Sequence, residues 1–250
     1  MRVFLRPGRS EVLAANGMAA TSHPLAAKTC IDILQQGGNA VDAAIAGAVL
    51  LGLAEPQSCG SGGDCFVLLK PAGTEEVIAL NGSGRAPAGL SADALRARGK
   101  TAIGTEDIEA VTIPGAIDAL CRLSQDHGCL GLADALAPAI RYAEEGVPVA
   151  PRVAFDWAEA AGRLQGPGQR HYLTSGKAPA VGDLFRSPAH AEALRAIARD
   201  GRAGFYEGPV AEDMVATLRA AGGCHTLDDF AATRADYGHP IRGGYAGHEV

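Results

Sequence analysis

An arginine on a glycine-bordered loop is the feature of this chain best suited to hold a small anion. The loop reads Asn81-Gly82-Ser83-Gly84-Arg85-Ala86-Pro87. Arginine offers a planar fork matched to a carboxylate, and between Gly84 and Ala86-Pro87 that fork sits on a rigid, uncrowded segment. A second bend, Cys59-Gly60-Ser61-Gly62-Gly63-Asp64, lies upstream. Its Asp64 either closes the turn or orients a ligand amine. The bend has the glycine density of a dinucleotide loop, but that fingerprint follows a strand and opens a helix. Here a helix ends at Glu55-Pro56 and a strand follows. The two loops flank adjacent strands, Cys65–Leu69 and Glu76–Leu80, so they read as the rim of a small-molecule pocket. Glycine there admits unusual backbone conformations and close ligand approach.

Other chemistry-bearing residues form no constellation. Ser22-His23 with Asp42 downstream suggests a serine triad, yet adjacent residues on one loop rarely face each other, and a triad is recognised by geometry rather than sequence position. Ser22 reads better as the cap of a helix. His171, His190, His225, His239 and His248 lack metal-ligand spacing, and no metal or cofactor is expected. No residue offers itself as a nucleophile.

The elements that must position these residues follow from punctuation and periodicity. An irregular lead-in over Met1–Ala20 ends in a short strand, Val12–Met18. Ser22 caps a helix over Pro24–Gln36, with Pro24 in its first turn, and Gly37-Gly38 stops it. Asn39 caps a helix over Ala40–Leu53 that is apolar on every side, the pattern of a fully buried helix, with Asp42 suiting its positive end. Further helices are expected over Ser91–Gly99, from Pro114-Gly115 to His127, and over Leu132–Glu145, where Pro138 kinks the chain or starts a second piece. Pro151–Leu164, Pro188–Arg199, Pro209–Ala221 and Leu227–Ala232 also read as helices. Ile108–Ile113 reads as a strand, Gln165–Ser187 as a long loop holding a short hairpin, and Ile241–Val250 as strand-like around a turn at Gly243-Gly244. Helices outnumber strands without regular alternation, which indicates an α/β or α+β class.

The 250 residues are enough for a sizeable core. A net charge of −6 with no basic stripe excludes a nucleic-acid partner. The N-terminal Met1-Arg2-Val3-Phe4-Leu5-Arg6-Pro7 lacks the apolar core and cleavage site of a secretory signal. The apolar run Ala40–Ala54 is short of the ~20 residues that span a membrane and contains Asp42. Six cysteines without a CxxC pair read as reduced thiols, several of them buried. A cytoplasmic setting and no membrane association are expected.

Several phrases of this chain together resemble the γ-glutamyltransferase (γ-glutamyltranspeptidase) family. They begin with Asn16-Gly17-Met18-Ala19-Ala20-Thr21-Ser22-His23-Pro24 and Gly37-Gly38-Asn39-Ala40-Val41-Asp42-Ala43-Ala44. Glu55-Pro56, Gly62-Gly63-Asp64 and Val111-Thr112-Ile113-Pro114-Gly115 follow in order. Later come Pro138-Ala139-Ile140, Phe205-Tyr206-Glu207-Gly208, Gly222-Gly223, Asp228-Asp229-Phe230, Pro240-Ile241 and Tyr245-Ala246-Gly247-His248-Glu249-Val250. The resemblance covers roughly Val12 to the last residue.

The resemblance implies an α+β fold, the αββα sandwich of N-terminal nucleophile (Ntn) hydrolases. In that scheme a precursor cuts itself before a threonine, whose hydroxyl, activated by the freed α-amine, attacks the γ-glutamyl amide of glutathione or a similar donor. The acyl group then passes to water or an amine. The family's threonine and its oxyanion-holding Ser-Ser-Gly-Gly lie beyond a segment like Tyr245–Val250. Residues 1–250 are therefore expected to be a large-subunit region, part of a longer precursor, that contributes substrate-binding residues and no catalytic one. Its partners would be the γ-glutamyl donor and the small-subunit region carrying the threonine, with a homo-oligomer of the complete enzyme left open. Typical members carry Asp-Phe-Arg-Glu-Met-Ala-Pro where this chain has Asn81–Pro87. Aligned on Ala86-Pro87, their carboxylate-gripping arginine falls at Ser83, two residues before Arg85. Substrate-binding candidates are therefore Arg85, Ser83 and Asp64. The same departure leaves room for an amidase or acylase acting on another amide, and for a silent binding or scaffold fragment.

Overall fold

The computed structural model describes residues 11–249. The helices in chain order are α1 (Pro24–Gln35), α2 (Ala40–Ala54), α3 (Ala92–Ala97), α4 (Ala116–His127), α5 (Leu132–Glu145) and α6 (Pro151–Ala160). They continue with α7 (Pro167–Tyr172), α8 (Pro188–Asp200), α9 (Ala203–Tyr206), α10 (Pro209–Ala220) and α11 (Leu227–Ala232). The strands are β1 (Cys65–Leu69), β2 (Ile78–Gly82), β3 (Val147–Pro148), β4 (Leu184–Phe185), β5 (Asp236–Gly238), β6 (Gly244–Tyr245) and β7 (His248–Glu249). Two compact units result, one from the stretches up to Gly60 and Ser124–Arg199, the other from Ser61–Leu123 and the stretch from Asp200 on.

In the first unit, α1 packs on α2 and α2 on α5. Asn39 accepts the N–H groups of Val41 and Asp42 on its side-chain oxygen, and Asp42 returns the contact to the Asn39 N–H at 2.9 Å, a complete capping box. The fully buried Asp42 carboxylate also accepts the Cys129 and Leu130 N–H groups, so the start of α2 is tied to the turn before α5. His23, not Ser22, caps α1: its Nδ1 accepts the Leu25 N–H at 3.1 Å, while the Ser22 hydroxyl donates to Glu55 at 2.6 Å. The expected burial of α2 on every face also needs correction. Val41, Ile45, Val49, Leu50 and Leu53 are buried, but Ala40, Ala44 and Ala48 form an exposed stripe. Pro138 neither divides nor restarts α5, which is one helix.

The stretch expected to be a long loop, 165–187, holds α7 and β4. Trp157 explains the difference. It is buried with Val149 and Val153, and the rings of Phe185 (4.9 Å, edge-on) and Tyr172 (6.4 Å) cover it. β4 pairs with β3 through Val147↔Phe185, and these contacts order a segment whose local pattern is irregular.

The second unit carries an antiparallel sheet of order β1-β2-β5. Leu80 on β2 is buried, facing Val67 and Tyr237 across the ladder. On the opposite, exposed face Phe66, Asn81 and Asp236 form one row. β5 is missing from the sequence expectation, and β2 runs two residues further than expected. The segment expected as a strand over Ile108–Ile113 is a 3₁₀ turn over Ile108–Ala110 followed by chain that belongs to no strand.

The chain at 12–18 is irregular and exposed rather than a strand. The lead-in before Glu11, and Val250, lie outside the described residues. The β6–β7 hairpin turns at Ala246-Gly247, both with positive φ, rather than at Gly243-Gly244. Of the six cysteines, all free thiols, only Cys30 is buried, where several were expected to be. Among the described residues no helix is long and apolar enough to cross a membrane.

Candidate substrate-binding site

The site builds from the two glycine loops inward. Gly84 donates its N–H to the Asp64 carboxylate at 2.6 Å, which fastens the second loop to the bend that opens β1. The Gly63 carbonyl accepts the N–H groups of Gly115 and Ala116 at 3.0 and 2.9 Å, joining the bend to the start of α4. The Arg85 carbonyl accepts the Ile113 N–H at 2.9 Å, and the Asn81 side-chain oxygen accepts the Ser83 N–H at 2.9 Å. Asp64, Ser83 and Arg85 thus share one hydrogen-bonded frame.

The glycines serve that frame differently from expectation. None of Gly60, Gly62, Gly63, Gly82 or Gly84 has positive φ. What Gly82, Gly84 and Gly115 supply is room between backbones. A Cβ on Gly84 would lie 2.0 Å from the Ile113 carbonyl oxygen, one on Gly82 2.5 Å from Ala119 Cβ, and one on Gly115 2.3 Å from the Gly82 carbonyl oxygen. The protein's own chain, not a ligand, makes these close approaches. A Cβ on Gly62, by contrast, would meet nothing within 4 Å.

Arg85 points outward and is not bare. Its Nη2 lies 2.8 Å from Asp236 Oδ2, with the side chains 71% and 61% exposed. Such an exposed single-nitrogen pair contributes about 0.2–1 kcal/mol, little enough for a ligand carboxylate to compete. Asp236 itself is firmly placed. The preceding Ala235 donates its N–H to the buried Asp118 carboxylate at 2.6 Å and accepts Arg122 Nη1 on its carbonyl at 2.6 Å. Asp118 is held in turn by Arg202 Nε at 2.6 Å, and the Tyr206 hydroxyl accepts the Asp118 N–H at 3.0 Å while donating to the Pro114 carbonyl at 2.8 Å. Burial, with Asp118 close by, pushes the neighbouring Cys121 thiol up to about 12, so it stays protonated and inert.

Sequence reading missed Asp236, because its nearness to Arg85 depends on the pairing of Asn81 with Asp236 across β2 and β5. The residues of the rejected triad serve separate structural bonds: Ser22 meets Glu55, His23 caps α1, and Asp42 caps α2. A cavity of about 110 Å³ lies at the far end of the arginine loop, lined among others by Pro87, Ser91, Arg98, Glu109 and His225. Asp64, Ser83 and Arg85 do not line it. They stand on the open side of the sheet, so the expected enclosed rim is, within this unit, a surface.

Comparison with known proteins shows the family and the fold of the chain. The family model described as Gamma-glutamyltranspeptidase matches residues 26–250. The Glutathione hydrolase-like YwrD proenzyme of Bacillus subtilis (strain 168) is 36% identical over 242 residues, covering 96% of this chain and 46% of that protein. The Oxamate amidohydrolase proenzyme of Klebsiella pneumoniae is 36% identical over 242 residues, covering 93% of this chain and 45% of that protein. Among solved structures, cephalosporin acylase from Bacillus halodurans superposes with a TM-score of 0.91 at 42% identity, covering 99% of this chain and 48% of that one. The chain therefore spans about half the length of the curated relatives it matches. Its α+β fold is that of the Ntn hydrolases.

Proposed function

The chain belongs to the γ-glutamyltranspeptidase family, and from that premise we propose that it is the donor-gripping, large-subunit part of an amide-cleaving Ntn hydrolase. The donor is a γ-glutamyl compound such as glutathione. Arg85 takes its carboxylate, Ser83 stands beside that contact, and Asp64 sets the distance between the two loops through the Gly84 N–H. The observation that carries this reading is the placement of Arg85. Its backbone is locked to Ile113 and its guanidinium is largely exposed, on a loop fastened to the Asp64 and Ile113 segments whose phrases resemble the family's.

The attacking group is the threonine of the small-subunit region, contributed by the rest of the precursor. Its hydroxyl adds to the γ-carbonyl and its α-amine takes the proton. The tetrahedral intermediate collapses with loss of the donor's amine, and water or an amine acceptor releases the acyl group. Gripping by Arg85 contributes binding and orientation to both steps.

One observation favours a second reading. Ser83 occupies the position where typical family members carry their carboxylate-binding arginine, and the relatives named above include an oxamate amidohydrolase and a cephalosporin acylase. An amidase or acylase acting on a different carboxylate-bearing amide is the alternative. The test is to offer the processed, full-length protein L-γ-glutamyl-p-nitroanilide, glutaryl-p-nitroanilide and oxamate. The first reading expects the γ-glutamyl anilide to be turned over best. Cleavage of glutaryl anilide or oxamate with none of the γ-glutamyl anilide supports the second.

A further inference from the structure

The cavity at the far end of the arginine loop is separate from Asp64, Ser83 and Arg85, and its lining is chemically specific. His225, 1% exposed, forms part of its wall. The ring's Nε2 lies 2.8 Å from the Val111 carbonyl. A carbonyl only accepts, so Nε2 carries the proton and Nδ1 of the neutral ring is a lone pair. That Nδ1 is buried and has no hydrogen-bond partner among the described residues. It lies toward Gly223, where an added Cβ would stand 2.7 Å from it, and Gly223 lines the cavity too. Buried acceptors are nearly always satisfied, so this one marks a place where a donor is missing.

The mouth is cationic. Arg98, exposed at the end of α3, gives Nη2 to the Glu109 carboxylate at 3.0 Å. Its Nε and Nη1 have no hydrogen-bond partner among the described residues. Lys100 Nζ meets the other Glu109 oxygen at 2.9 Å, so Glu109 is held between two cations and repels an anion less. The Ser91 hydroxyl accepts the Ala94 N–H at 3.4 Å and still has its own proton to donate. Pro87, Leu90 and Ile108 add apolar wall. The cavity, about 110 Å³, is smaller than the ~150 Å³ that accommodates benzene, so its ligand has about four to six non-hydrogen atoms.

We propose that this cavity is a small-molecule site distinct from the donor-binding surface, for a two- or three-carbon carboxylate bearing a hydrogen-bond donor on its α-carbon. The carboxylate lies against Arg98 and Ser91, and the α-hydroxyl or α-ammonium group donates to His225 Nδ1. Occupancy also reaches the arginine loop. Pro87 ends that loop in the cavity wall, and Val111, which holds His225, leads to Ile113, whose N–H locks the Arg85 carbonyl. The proposal stands independently of amide cleavage.

The test is chemical-shift titration of the backbone amides of Ala94, Cys224 and His225 in the processed, full-length protein. Glycolate, glycine and acetate are the probes, in wild type, Arg98→Gln, Ala94→Leu and Arg85→Gln. In wild type, glycolate, glycine or both should saturate these shifts. Acetate, which lacks the α-donor, should bind about threefold to tenfold more weakly, the loss of one neutral hydrogen bond. Arg98→Gln should weaken binding by about tenfold to 100-fold, the loss of a charge-assisted contact. Ala94→Leu, which fills the mouth, should abolish it, and Arg85→Gln should leave it unchanged. Ala94 and Arg98 are exposed, so both variants should unfold at the wild-type midpoint. Saturation by glycine alone or by glycolate alone names the α-group and supports the proposal. Acetate binding as tightly as both, binding that survives either α3 variant, or binding lost in Arg85→Gln overturns it. So does the absence of saturable shifts, which would leave a cavity that holds water only.

Discussion

Single residues here divide into those read by local rules and those fixed by distant partners. Asn39 and Asp42 announce a helix start within four residues, and the structure uses them that way. Ser22 obeys the same rule on paper, yet its hydroxyl goes to Glu55, 33 positions away, and His23 takes over the cap. That exchange has a pH consequence. Burial holds the His23 pKa below its ordinary 6.5, with Glu55 opposing in part. The unfolded chain therefore binds this proton more tightly than the folded one. Stability is complete above about pH 6.5 and declines as pH falls through the depressed folded-state value. Urea midpoints measured from pH 7 to 5 should fall, and His23→Asn, which keeps a capping oxygen, should flatten that fall. His190 is also depressed by burial, so part of the slope remains. An unchanged slope in the variant contradicts the assignment. For ligand binding, Arg85→Ala should raise KM for a γ-glutamyl donor by roughly 10- to 100-fold, the loss of a charge-assisted hydrogen bond. Initial-rate kinetics with unchanged kcat would check it.

Among the elements, several long helices were legible from local marks that differ between them: Pro24 and the Gly37-Gly38 stop for α1, the Asn39–Asp42 capping box for α2, and Pro209 in the first turn of α10. Short elements with their own caps, α3 and α11, were legible too, whereas those held only by distant partners were not. α7 and β4 exist because Tyr172 and Phe185 cover Trp157, and β5 exists because Tyr237 and Asp236 pair with β2, neither of which leaves a local trace. The glycine loops show how a correct location can come with the wrong reason. Their glycines were expected to approach a ligand, and instead they let the backbones at 82–84 and 112–115 touch. Gly84→Ala should accordingly cost about 1–3 kcal/mol as an overpacked position, because the atom it meets is a backbone carbonyl that cannot swing aside. Gly62→Ala, which meets nothing within 4 Å, should stay within about 0.5 kcal/mol of wild type. Denaturation curves of the two variants compare them directly, and equal destabilisation would refute the close-packing account.

For the molecule as a whole, the described surface is informative. Among the described residues β1 has β2 as its one neighbour in the sheet, and its Phe66 and Leu68 are 69% and 71% exposed. An apolar strand with an open edge is a template for association. Residues 1–250 expressed alone should therefore self-associate in light scattering, and Phe66→Lys with Leu68→Lys should reduce this without lowering the unfolding midpoint. A monodisperse wild-type monomer would contradict it. Family membership was legible from ordered phrases spread along the chain. The Arg85–Asp236 contact was not, because it depends on a strand pairing that sequence does not display. The central claim is that residues of this chain grip the donor while the attacking threonine comes from the rest of the precursor. Release of p-nitroaniline from L-γ-glutamyl-p-nitroanilide, measured for residues 1–250 alone and for the processed full-length protein, tests it most directly. The account predicts release by the full-length protein and none by residues 1–250; cleavage by residues 1–250 alone would contradict it.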